Sequence, residues 1–143
     1  MKTQIRGVLV LALTFVAGFV ARGALTGEDV VHAQAKPRVY ELRTYTAVDG
    51  KLDELHGRFR EHVLRFFQKH GMTDVVNFKP MDAPLSQTTL IYLLSHESRE
   101  AAAKSWAAFR ADPEWRKVSA GGPPLTSKVE SVFLEPTDYS PMK

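Results

Sequence analysis

The sequence predicts an α+β domain of ferredoxin-like order, βαββαβ, with a four-stranded antiparallel sheet and two helices on one of its faces. Three observations predict it. The stretch "RVYELRTYT" at 38–46 alternates side chains between two faces and is rich in β-branched and aromatic residues, as a strand requires. "KLDELHGRFREHVLRFFQKHG" carries apolar residues at spacings of three and four, one stripe of a helix. The remaining apolar runs then follow as strand, strand, helix, strand, and right-handed crossovers arrange that order into one sheet.

Ahead of the domain lies a leader. Lys2 and Arg6 precede "GVLVLALTFVAGFVA", 15 residues without a charge, and Ala33-Gln34-Ala35 offers a small-x-small cleavage pattern. The apolar run is short for a spanning helix, which needs about 20 residues. Residues 1–35 therefore read as a signal peptide and residues 36–143 as the exported domain, periplasmic or secreted. Arg22, Glu28 and Asp29 make the cleavage region long, so the alternative is an uncleaved membrane anchor at residues 7–21.

Within the domain, Lys36-Pro37 opens the first strand and Asp49-Gly50 closes it with turn chemistry. On that strand Tyr40, Leu42 and Thr44 share one face, and Val39, Glu41, Arg43 and Tyr45 the other. The first helix has Leu52, Leu55, Phe59, Val63, Phe66 and Phe67 on its stripe, Asp53 and Glu54 in its first turn, Lys69 in its last and Gly71 as C-cap. "MTDVVNFKP" is the second strand, stopped by Pro80. "TTLIYLLSH" is nearly continuously apolar and reads as a central third strand covered on both sides. A second helix runs from Glu97 to Ala111 with Ala102, Trp106 and Phe109 on one face. Asp112-Pro113 then starts a short extra turn, with Asp as N-cap and Pro at the first helical position. "AGGPPL" is a loop, "SKVESVFLEP" the fourth strand and "TDYSPMK" a tail.

This architecture leaves the face of the sheet away from the helices bare. A domain of this size does not expose Val39, Tyr45 and their neighbours without cover. A second copy packed sheet against sheet, closing a barrel as a homodimer, supplies it; the alternative is a monomer whose tail or loops fold over the sheet.

Composition narrows the function. Removing Lys2, Arg6, Arg22, Glu28 and Asp29 leaves 16 basic against 14 acidic residues, interspersed, so no electrostatic footprint for nucleic acid exists. Cysteine is absent, which excludes disulfides, thiolate metal sites and cysteine nucleophiles. His56, His62, His70 and His96 form no metal-ligand motif, and neither metal nor cofactor is expected. No nucleophile elbow or phosphate loop is present.

The residues "VYELRTYT", a glycine-led helix ending "KHGM", "SREAAAKSWAAFRADPEW" and a closing "YSP" resemble the NIPSNAP family over Val39 to Pro141. The resemblance implies a dimeric α/β-barrel, similar in fold to cofactor-free monooxygenases and haem-handling barrels, with no settled catalytic mechanism. Animal members are linked to mitochondria and to vesicle or autophagy functions. The export leader here departs from them, and Val76-Asn77-Phe78 stands where members often have "GFW".

Glu41 and Arg43 lie two apart on a strand, about 7 Å along the chain on one face. They read first as an ion pair satisfying polar groups within the barrel. The functional alternative is a clamp, with Arg43 holding an anion in pairs of hydrogen bonds and Tyr45 supplying a phenol. Trp106, Phe109 and Trp115 read as core, or as a stacking wall for an aromatic ligand. The candidate ligand-binding set is Glu41, Arg43, Tyr45, Asn77, Trp106 and Trp115, with no catalytic residue assigned. The expected role is binding a small anionic or aromatic molecule in the barrel. The rivals are a cofactor-independent monooxygenase and an interaction module without ligand.

Overall fold

A computed structural model describes residues 38–142. The leader and its expected cleavage after Ala35 lie outside the described residues. Strand β1 (Val39–Ala47) leads into one long helical rod, made of α1 (Leu52–Arg58), a π turn (Phe59–Val63) and α2 (Leu64–Lys69). Strands β2 (Thr73–Phe78) and β3 (Thr89–His96) follow, then helices α3 (Arg99–Ala111) and α4 (Pro113–Ala120), and finally β4 (Thr126–Leu134). The sheet order is β2-β3-β1-β4 and every pairing is antiparallel. This is the ferredoxin-like α+β arrangement that the sequence predicts, with β1 and β3 in the middle.

Local chemistry explains most element ends. Gly71 follows the rod with φ +71°, a left-handed conformation open to glycine without a Cβ penalty. The second helix starts at Arg99 rather than at Glu97, because the Ser98 side chain accepts from Ala101 N at 3.1 Å and so makes Ser98 the N-cap. Asp112 caps α4, accepting from the backbone N–H of Glu114 at 2.8 Å and Trp115 at 3.4 Å, with Pro113 at the first position. The π turn was not foreseen, since the apolar stripe passes through it without a break. π-bulges of this kind concentrate at functional sites.

The core lies between the sheet and the helices. Leu52, Leu55, Phe59, Val63, Phe66 and Phe67 of the rod are all buried, against Leu90, Tyr92 and Leu94 of β3 and Trp106 and Phe109 of α3. Here the sequence-based assignment of faces needs correction. The face carrying Glu41, Arg43 and Tyr45 packs toward the helices and is not the bare one. In register beside those residues stand Leu94, Tyr92 and Leu90 on β3 and Phe133, Ser131 and Val129 on β4. The bare face carries Leu42, Val76, Ile91, Leu93, Val132 and Leu134 instead, and Val132 is 53% exposed. Strand β3 is central as expected, but Ile91 and Leu93 on this face are only half-buried. Both faces of β1 hold apolar residues, so alternation alone does not say which meets the helices.

Candidate functional site

Glu41 is the polar centre of the core. Its residue is 2% exposed, and its two oxygens accept from four donors. Oε1 takes Arg43 Nη1 at 2.6 Å and the Ser131 hydroxyl at 2.7 Å. Oε2 takes Trp106 Nε1 at 2.7 Å and His96 Nε2 at 3.0 Å. Burial works against its charge, but the hydrogen bonds from His96, Trp106, Ser131 and Arg43 outweigh it and hold the carboxyl down at about 2. A carboxylate so low and so fully occupied is a poor general base. Its role is to gather β1, β3, β4 and α3 onto one anchor.

Arg43 leans on that anchor. Its guanidinium carbon lies 4.2 Å from the centre of the Trp106 ring and 5.5 Å from that of Tyr45, and Nη2 donates to the Tyr45 hydroxyl at 3.4 Å. Burial disfavours its charge, yet Tyr92, Tyr45 and Glu41 around it raise its pKa, so it stays charged. Around this pair, Arg43 Nε and the Tyr92 hydroxyl are enclosed without a hydrogen-bond partner. Burial pushes the Tyr92 phenol up, which keeps it protonated.

Tyr45 and Trp106 face a cavity of about 170 Å³ between the sheet and the helices, with Phe59, Phe67, Phe109 and Trp115 completing its aromatic wall. Arg58, the last residue of α1, also lines it, as do Thr126 and Val129 of β4. The π turn begins immediately after Arg58 and carries Phe59 into the wall. The rings meet largely edge to face, as between Tyr45 and Phe59 at 5.9 Å and between Phe67 and Trp106 at 5.8 Å.

The structure thus brings together three residues of the candidate set, Tyr45, Trp106 and Trp115. Glu41 and Arg43 do not line the cavity and act on it through the two rings they hold. Asn77 is elsewhere: it lines a separate groove beside β2 and donates to Asp74 Oδ2 at 2.6 Å. The bulge between Asp74 and Val76 and the edge position of β2 set it apart from the other candidates. Sequence reasoning missed Arg58, whose helical position gave no signal. It also missed His96 and Ser131, which sit 55 and 90 positions from Glu41. Among the described residues, no group of three or more His, Asp or Glu is placed to hold a metal ion.

Comparison with known proteins agrees with this architecture. A NIPSNAP family protein of unknown function from Agrobacterium tumefaciens superposes with a TM-score of 0.67 at 20% identity, over 76% of this chain and 96% of that one. An uncharacterised NIPSNAP-like domain protein from Burkholderia xenovorans gives 0.65 at 21%, over 74% and 90%. More distantly, a monooxygenase from Streptomyces coelicolor, solved in complex with the ligand nanaomycin D, gives 0.50 at 15%, over 73% and 92%. At such identities the likeness speaks for the fold alone. Among curated proteins none matches. The NIPSNAP family model matches residues 40–141, from the first strand to the tail, and the chain belongs to the NIPSNAP family.

Proposed function

We propose that this protein binds a small aromatic molecule, with a single ring and an anionic end, in the cavity between sheet and helices. The observation that carries the reading is the cavity itself, walled by six aromatic residues and bordered by one cationic residue, Arg58. A volume of about 170 Å³ suits one benzene-sized ring. Arg58 suits a carboxylate, which it meets with paired donors. Glu41 and Arg43 serve as positioning residues that lock Tyr45 and Trp106.

Two features belong to the same reading. The domain works outside the cytoplasm, on the strength of the apolar segment at residues 7–21. It works as a homodimer, with the bare sheet face of Leu42, Ile91, Leu93, Val132 and Leu134 covered by a second copy.

Intrinsic fluorescence tests the binding, because both tryptophans of the chain line the cavity. Benzoate is expected to change it saturably. Val129→Phe, at a position 46% exposed, should block the cavity and abolish the response. Arg58→Ala should weaken benzoate but leave toluene unaffected. A response that fails to saturate, or that both variants preserve, sinks the proposal.

A second reading is turnover. The Tyr92 hydroxyl and Arg43 Nε favour it, being enclosed polar atoms without a hydrogen-bond partner beside the rings of Tyr45 and Phe59. A cofactor-independent oxygenase would consume oxygen with a phenolic ligand and lose that activity in Tyr92→Phe. Oxygen uptake equal to a ligand-free control would reject this reading.

A further inference from the structure

On the β2 side of the helical rod lies a groove of about 230 Å³ that shares only Phe59 with the aromatic cavity. Its polar lining consists of His56, Arg60, Asn77 and Lys79, with Phe59 and Leu64 as its apolar floor, and no carboxylate lines it. Three of these side chains are basic. Arg60 and Lys79 pair with no carboxylate among the described residues. His56 is the most informative of them, because its Nε2 is enclosed and has no hydrogen-bond partner. Enclosed nitrogens without a partner are uncommon in folded chains, which singles this one out as a place where a bound group can supply one. The two cations beside it would repel a metal or an amine and attract an anion.

We propose that this groove is an anion site that takes a small oxyanion, a carboxylate or phosphate group, between His56 Nε2, Arg60 and Lys79. The arriving oxygens give the imidazole the partner it lacks and neutralise the two free cations. They also reverse the electrostatics at His56. Without an anion, burial first, then the charges of Lys79 and Arg60, lower its pKa, opposed only by Asp53 on the same helix. A bound anion outweighs those cations, so the ring takes up a proton and Nε2 donates. Phe59 and Leu64 then offer a resting place for the apolar part of an organic acid.

The test uses the full chain, with the histidine ring signals followed by NMR while inorganic phosphate or acetate is added against chloride at equal ionic strength. One or both should move the His56 signals saturably and shift its titration upward, while His62 and His70 stay in place. Lys79→Ala and Arg60→Ala, both at exposed positions that leave the core intact, should each weaken the effect about tenfold, the loss of one charge-assisted hydrogen bond. A response to phosphate alone or to acetate alone assigns the oxyanion. No response to either, movement of all histidines alike, or full retention of binding in both variants overturns the site.

Discussion

The indole N–H of Trp106 donates to Glu41 Oε2 at 2.7 Å, which ties helix α3 to the interior strand β1 through the core. The same indole forms part of the cavity wall, so one side chain serves both the fold and the cavity. Trp106→Phe keeps a ring but leaves the carboxylate one donor short. The expected loss is about 1–3 kcal/mol. Trp115→Phe should cost less, since no side-chain hydrogen bond ties that indole to a neighbour. Urea unfolding of the two variants side by side checks the order.

Glu41 makes stability depend on acid. Its folded pKa of about 2 lies below the ordinary 4.5, so its contribution is complete above the ordinary value and fades as pH falls toward the folded one. Glu41→Gln should flatten that part of the pH–stability curve. Glu41→Ala strands the Arg43 charge in the core and should cost about 3–5 kcal/mol at neutral pH. Denaturation midpoints measured across the interval, for all three proteins, decide the matter.

Asp112 ties the end of the rod to the start of α4. Its carboxylate meets Lys69 Nζ at 2.9 Å and His70 Nε2 at 2.9 Å while capping α4. The Lys69 hydrogen bond chiefly holds its pKa below the usual carboxylate range, against burial, so this stability too is complete above that range and is lost as pH falls from it toward the lower folded value. Asp112→Asn keeps a capping oxygen but loses the charge, and Asp112→Ala loses both. Thermal unfolding temperatures should rank the native protein first, then Asn, then Ala.

The proposed dimer has its own test. Leu93→Lys or Val132→Lys places a charge in the middle of the bare sheet face without touching the helix-side core. Native mass spectrometry should find the native chain dimeric and both variants monomeric. A monomeric native chain removes the second copy from the proposal.

Gly71, at φ +71°, has nothing nearer than Ser105 Oγ at 4.0 Å to meet a Cβ, so space is not its constraint. Gly71→Ala should still cost about 1–2 kcal/mol, through backbone conformation alone. Gly57, inside α1 with open space around it, should gain slightly from the same change, and the pair of variants in one unfolding assay separates the two effects.

What the sequence made legible was local. The stripe from Leu52 to Phe67, the Asp112-Pro113 cap and the alternation of β1 each reside in a few neighbouring residues. The choice of face for β1 was not local, because Tyr40 and Leu42 argue for burial as strongly as Val39 and Tyr45. It is settled by Trp106, which reaches Glu41 across 65 positions. The same distance hid His96 and Ser131. Asn77 falls away from the other candidates because β2 is an edge strand on the far side of β3 from β1, which a linear reading does not show.

The position of β1 also has a consequence for how the chain comes into being. Synthesis delivers Val39–Ala47 first, yet its two flanking partners, Thr89–His96 and Thr126–Leu134, are made later, one of them last. Through most of translation the future middle of the sheet has an unpaired edge, and Glu41 lacks the hydroxyl that only Ser131 brings. A chain cut short before Thr126 would retain a charge pair and an adhesive edge at its centre. Completion of the last strand therefore pairs the open side of β1 and supplies the Ser131 hydroxyl in a single event, moving the free edge from the charged middle of the sheet out to β4.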